Sequence, residues 1–151
     1  MILMLGVFAA NAQYTSSVPA ISNGGWGTVT LPYYTAGDDT ATTGGDVIRM
    51  GIIMNGKYDV SLKLVATKVS GTLAGTAIIR VSNDGTNWRT INEAAAVTYK
   101  DTVTVGDETT TATWSFTAAE VNAKYIEVNY TTTGTNVSAP VSTLYYRKSE
   151  D

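Results

Sequence analysis

The chain has 151 residues, with no Cys, no His, 10 Lys and Arg against 13 Asp and Glu, and a formal net charge of −3. Without His or Cys there is no Ser-His-Asp or Cys-His nucleophile, no disulfide, and none of the usual zinc sites. Charged residues make up 15% of the chain, against about 25% in an average globular protein. The basic ones are scattered from Arg49 to Lys148, so no concentrated basic face points to nucleic acid.

The length suits one domain that holds its core without staples. Residues 1–12, MILMLGVFAANA, are apolar and end in Ala-Asn-Ala. This resembles the apolar region and small-residue cleavage site of a secretory signal peptide, with a cut between Ala12 and Gln13. No Lys or Arg follows Met1, however, and the stretch is too short and poorly flanked to span a membrane. Two readings stay open: a signal peptide that has lost its basic start, or a retained arm lying in a groove of a neighbouring subunit. The domain division is therefore 1–13 for this segment and 14–151 for the body.

Residues 14–27 are rich in Ser, Asn and Gly and read as an extended lead-in. A strand candidate follows over 27–35, GTVTLPYYT, where Pro32 keeps it at an edge or breaks it in two. Residues 36–46, AGDDTATTGGD, are a loop. Asp38, Asp39 and Asp46 carry oxygen ligands of the kind calcium takes, but their spacing fits no known loop, and a solvated acidic loop is the better account. Residues 47–54 form a short apolar strand, and Asn55-Gly56 is a hairpin-type dipeptide.

The central stretch runs from Lys57 to Ile91. Tyr58, Val60, Leu62, Leu64 and Ala66 fall at every second position, with Asp59, Ser61, Lys63 and Thr67 between them. A period of two puts these sets on opposite faces of a strand. Gly71 and Gly75 suit a chain reversal. Ala77, Ile79 and Val81 then alternate with Ile78, Arg80 and Ser82. Asn83-Asp84-Gly85 is a strong hairpin signal. Trp88 is expected to cover a face or fill the core.

Beyond Ile91, residues 92–96 read as a loop and 97–105 as a strand. Gly106-Asp107-Glu108 reads as a turn, and 109–116 as a strand with Trp114 and Phe116 on one face. Thr117-Ala118-Ala119-Glu120 fits a capping box, which predicts one helical turn over 118–123. Residues 125–131 should be a strand with Ile126, Val128 and Tyr130 inward, 132–140 a loop, and 141–147 the closing strand. Leu144 and Tyr146 should share one face of it, with Tyr145 on the other. The expected fold is all-β: one antiparallel sandwich of about eight strands, jelly-roll or immunoglobulin-like.

The run Val69-Ser70-Gly71-Thr72-Leu73-Ala74-Gly75-Thr76-Ala77, continued by Ser82-Asn83-Asp84-Gly85-Thr86-Asn87-Trp88, resembles small β-sandwich proteins of tailed phages of Bacteroidetes-type hosts. The Gly24-Gly25-Trp26-Gly27-Thr28 lead-in and the Tyr33-Tyr34 pair extend that resemblance over nearly the whole chain. It implies a virion accessory role, of capsid-decoration or head-fibre type. The segment 82–88 alone is also similar to a hairpin of discoidin-like binding modules, which implies glycan binding. Neither resemblance marks a catalytic atom.

Three functions follow as expectations. The first is a non-enzymatic structural protein of a virion or extracellular assembly, acting on itself or on other structural subunits. Its contact candidates are Trp26, Tyr33, Tyr34, Tyr145 and Tyr146, since aromatics favour interfaces; ordinary core packing competes for each. The second is a secreted carbohydrate-binding or adhesion module with Asn83, Asp84, Trp88 and Arg89 at a loop tip. The third, a glycosidase built on Asp38/Asp39 or Asp107/Glu108, lacks any sign of a raised carboxylate pKa. No enzyme activity, cofactor or metal is expected.

Overall fold

The computed structural model describes residues 14–21, 24–34, 39–42, 44–91, 102–108, 111–135 and 137–149. Nine strands run through them: β1 (Gly27–Thr30), β2 (Val47–Ile53), β3 (Lys57–Ser70), β4 (Leu73–Ser82), β5 (Arg89–Thr90), β6 (Thr102–Glu108), β7 (Thr111–Asn122), β8 (Tyr125–Thr132) and β9 (Val137–Lys148). One sheet is ordered β1-β9-β3-β7 and the other β2-β8-β4-β5, with β6 also on β4. All these strand pairs are antiparallel.

The order has a simple origin. β5 pairs with Arg80 and Val81, while β6 pairs with β4 between Leu73 and Ile78. The two therefore share one lane beside β4. Counting outward from that lane, β4 lies with β5 and β6, β3 with β7, β2 with β8, and β1 with β9. The chain is one long antiparallel hairpin with its turn at 82–88, rolled up so that alternate segments fall in opposite sheets. That is a jelly roll, which settles the choice between the two expected sandwich types.

The core lies between the sheets. Tyr58, Val60, Leu62, Leu64 and Ala66 of β3 are all buried, as their alternation requires, and so are Ala77, Ile79 and Val81 of β4. In the same sheet as β4, and facing β3 across the core, Ile48, Met50 and Ile52 of β2 join Ile126, Val128 and Tyr130 of β8. The Tyr130 hydroxyl shares a 2.9 Å hydrogen bond with the Ser138 hydroxyl, so the polar tip of a buried ring is satisfied. Pro32 breaks the first strand candidate after Thr30. The chain then re-pairs with β2 through Tyr33 and Met50.

Several expectations are corrected. Residues 118–123 are not a helical turn, because β7 stays extended to Asn122 and pairs with β3 along its length. The register slips between Tyr58 and Val60, and Glu120 takes a positive φ of 56° in the resulting bulge. The amide that a capping box would have satisfied is met from the neighbouring strand: Glu120 N donates to Asp59 Oδ1 at 3.0 Å.

The link between β3 and β4 is a crossing between sheets and not a hairpin. Gly71 makes the corner with φ +71°, its Cα against the Thr135 carbonyl with no room for a Cβ. Asn55-Gly56 likewise joins strands of different sheets. Residues 106–108 belong to β6 and are not a turn. β9 starts at Val137 and contains Pro140, where a loop was expected. Leu31 N donates to Ser142 O on the β1 side. Pro140, two residues earlier in β9, faces the same way, beyond the end of β1, where its lack of an N–H loses no ladder bond. The apolar segment 1–13 and the stretch 92–101 lie outside the described residues. Among the described residues, no helix is long and apolar enough to cross a membrane.

Candidate functional site

The 82–88 turn is built by its own side chains. Ser82 Oγ accepts from Gly85 N at 2.9 Å and donates to Asp84 Oδ1 at 2.9 Å. Asp84 Oδ1 accepts from Asn87 N at 2.7 Å and Thr86 N at 2.8 Å, and Oδ2 accepts from Asn87 Nδ2 at 2.6 Å. These bonds, the Asn87 amide first among them, hold the Asp84 carboxyl well below the usual carboxylate range. Trp88 Nε1 donates to Gly85 O at 3.1 Å, which folds the indole back over the sheet.

That indole rests on a charged cluster on the outer face of the β2-β8-β4 sheet. Its ring centroid lies 5.2 Å from the Arg80 guanidinium carbon and 5.7 Å from that of Arg49. Both arginines clamp Glu127, whose side chain has 0% exposure. Arg49 donates through Nη2 at 2.6 Å and Nε at 3.0 Å; Arg80 donates through Nε at 2.7 Å and pairs through Nη2 at 2.6 Å. A further donor is the Tyr14 hydroxyl, 2.8 Å from Glu127 Oε2. Burial first, and then the charge on Glu127, push the Tyr14 hydroxyl far above its ordinary pKa, so it stays a donor. Burial works against the charge on Arg49. The hydrogen bond and charge of Glu127 outweigh it and hold that guanidinium above its ordinary value.

The lead-in supplies the lid of this cluster. Ser16 O accepts from Ile53 N, and Val18 N donates to Ile53 O, each at 2.9 Å, so the segment runs along the edge of β2. Tyr14 then crosses Gly51, which is directly opposite Glu127 in the ladder. A Cβ at position 51 would lie 2.6 Å from the Tyr14 ring, so glycine is the residue that admits it. Tyr34 closes the other side, with the Arg49 guanidinium carbon 4.0 Å from its ring centroid.

The sequence-derived glycan candidates do converge. Asn83, Asp84, Trp88 and Arg89 line one depression of about 300 Å³, together with Asn87. The five contact candidates separate. Trp26 (52% exposed) and Tyr145 (37%) lie on the outer face of the β1-β9-β3-β7 sheet. Tyr146 is 1% exposed and belongs to the core; its hydroxyl donates to Pro19 O at 2.8 Å. Tyr33 and Tyr34 are half-buried in contacts within the chain; the Tyr33 hydroxyl donates to Pro140 O at 2.6 Å. Of the acidic residues weighed for calcium, Asp46 Oδ2 is engaged by Thr42 through both its amide and its hydroxyl. Asp38 lies outside the described residues, and the described residues hold no group of three metal-ligating side chains.

The outer face around Tyr145 is different in kind. It presents Thr28 and Thr30 of β1, Val141 and Thr143 of β9, Ser61, Lys63 and Val65 of β3, and Thr113 and Ser115 of β7. Val65 and Val141 sit directly opposite one another, and Val141 is 43% exposed. Four strands at a spacing of about 4.8 Å make this surface roughly 15 Å wide.

No protein-family model matches the chain, and no curated protein matches it. Among solved structures, one described as "CBM4 structure and function" is 15% identical over 83% of this chain and 68% of its own, with a TM-score of 0.36. Chains from structures of infectious bursal disease virus, Gx and Gt strains, are 16% and 15% identical over 86% and 89% of this chain, both with a TM-score of 0.40. This chain spans only 36% and 41% of those two.

Proposed function

We propose that the protein is a non-enzymatic structural subunit that packs against a further copy of itself through the outer face of the β1-β9-β3-β7 sheet. Capsid-decoration or fibre-type accessory proteins of phage virions are the kind of assembly meant, in a virion or another extracellular particle. The observation that carries the reading is that face. Trp26, Val141 and Tyr145 are exposed on it, threonine and serine fill the positions between, and Lys63 is the one charge near its centre.

Threonine hydroxyls both donate and accept, so such a face is complementary to itself. Away from the Asp59–Arg147 and Lys57–Glu120 pairs at one end, burying it would desolvate little charge, and the aromatic and branched side chains supply apolar area. Sedimentation velocity across a concentration series tests the reading. The wild type should associate, and Val141→Lys with Tyr145→Lys should weaken association at least about tenfold, by placing like charges across the contact. A wild type that stays monomeric to about 100 μM, a range in which weak specific contacts are populated, would sink the reading. So would association that the two lysines leave unchanged.

A further inference from the structure

We propose that a second, separate surface binds a ligand: two adjoining depressions at the 82–88 end of the sandwich form one groove for a polyhydroxylated chain, an oligosaccharide. The first depression holds Asn83, Asn87, Trp88 and Arg89. The second, also about 300 Å³, holds Asn55, Asn122 and Lys124. Asn83 and Ala123 line both, so the two adjoin at those residues. Each is of the size that takes a small organic ring.

The wall chemistry selects the ligand class. Four asparagines face the groove, and together their amides offer both donors and acceptors. Hydroxyl groups need both from their partners. An anion needs donors alone and would meet the Asp84 carboxylate on the same wall. Trp88 adds an apolar flat surface of the kind that covers the C–H side of a sugar ring.

The groove also divides its residues by role. Asp84 is committed to holding the turn through Thr86 and Asn87. Asn83 Oδ1 accepts from Lys124 N at 3.2 Å, which orients the amide and leaves its Nδ2 turned away from that bond. Among the described residues, Asn83 Nδ2, Asn87 Oδ1 and the Arg89 guanidinium hold no partner. These three are the contact groups. Because the turn is braced internally and Trp88 is seated on Arg80, little needs to be ordered when ligand arrives.

Amide-resolved NMR titration of the full chain with cellohexaose, maltohexaose and chitohexaose tests this. Saturable shifts with at least one of them should fall on the Trp88 indole and on the side-chain amides of Asn83, Asn87 and Asn122. Asn83→Ala and Arg89→Ala should each lower affinity about fivefold, as loss of one hydrogen bond does, while the remaining spectrum stays folded. Tyr145→Lys, on the other sheet, should leave binding unchanged, which separates this site from the self-association face. Three results would overturn the groove: no saturable shift with any of the three sugars at about 10 mM, where even weak sites fill; shifts mapping to Trp26 and Tyr145; or affinity unmoved by both alanine variants.

Discussion

The two outer faces of this sandwich solve the same problem in opposite ways. On the β2-β8-β4 side, Glu127 is held by Arg49, Arg80 and Tyr14 and roofed by Tyr34 and Trp88. Charge is brought onto the sheet and then covered by the chain's own lead-in and turn. On the β1-β9-β3-β7 side the charges, apart from Lys63, are gathered at one end as the Asp59–Arg147 and Lys57–Glu120 pairs, and no described segment covers the rest of the surface. Solubility there rests on threonine and serine hydroxyls, with Val141, Tyr145 and Trp26 left in contact with solvent. The difference teaches that the first face is closed within one molecule, while the second is available to another.

The comparison is broken most forcefully at Glu127. Removing one partner of a buried ion pair leaves the other uncompensated, at a cost of about 3 kcal/mol. Glu127→Leu, which leaves Arg49 and Arg80 side by side without their shared carboxylate, should therefore lower Tm by roughly 10 °C in a chain of this size, read by calorimetry. Replacing all three charges together, with Arg49→Met, Arg80→Met and Glu127→Leu, should recover most of that loss. A single variant as stable as wild type would mean the cluster carries no strongly coupled charge. Tyr14→Phe tests the lid alone. Losing one hydrogen bond to a charged acceptor should cost about 1.5 kcal/mol in urea unfolding. A cost near zero would show that the lead-in is held by its backbone bonds alone.

Changes on the bare face should be weak by the same measure. Val141→Lys and Tyr145→Lys should each move stability by no more than about 0.5 kcal/mol, in the same denaturation experiment. A large loss would mean that these side chains are part of the fold's packing. The smallest effect belongs to Asp59 at the end of that face. Arg147 first, then the Glu120 amide and Ser149, hold its carboxyl down to about 2. A depressed carboxylate stabilises the fold above its unfolded value of about 3.9, and the contribution disappears as pH falls toward 2. Asp59→Asn should thus give a shallower loss of stability between pH 4 and 2, followed by circular dichroism. An unchanged acid limb would discount the Arg147 contact.

Much of the fold was legible because the core obeys a period of two. Leu62, Leu64, Ile79, Val128 and Leu144 could be placed inward from their neighbours alone. The local signals that failed did so for tertiary reasons. Thr117 to Glu120 carries helix-capping chemistry, but β3 pairs along the segment and supplies Asp59 to the stranded amide. The glycines near 71 and 56 signal a change of direction correctly, yet a turn dipeptide cannot say whether the next strand rejoins the same sheet. Tyr146 and Tyr145 are adjacent and chemically alike; alternation separates their faces, and the structure shows Tyr146 in the core and Tyr145 on the surface. The Glu127 cluster was missed because its members are 113, 78 and 47 residues apart in sequence. The available hint was a charged residue within each of three apolar runs, Arg49 in VIRMGII, Arg80 in AIIRV and Glu127 in YIEV.

The rolled hairpin also constrains the order of assembly in time. Its turn at 82–88 brings together the pairs closest in sequence, Val81 with Arg89, whereas Gly27 must find Tyr146 across nearly the whole chain. Closing the short loop first costs the least entropy, and each later pair then closes a smaller gap. Disturbing Asp84 should slow refolding more than it hastens unfolding, whereas the same loss at Gly27 should chiefly hasten unfolding. Stopped-flow traces showing the reverse would place the nucleus at the chain ends.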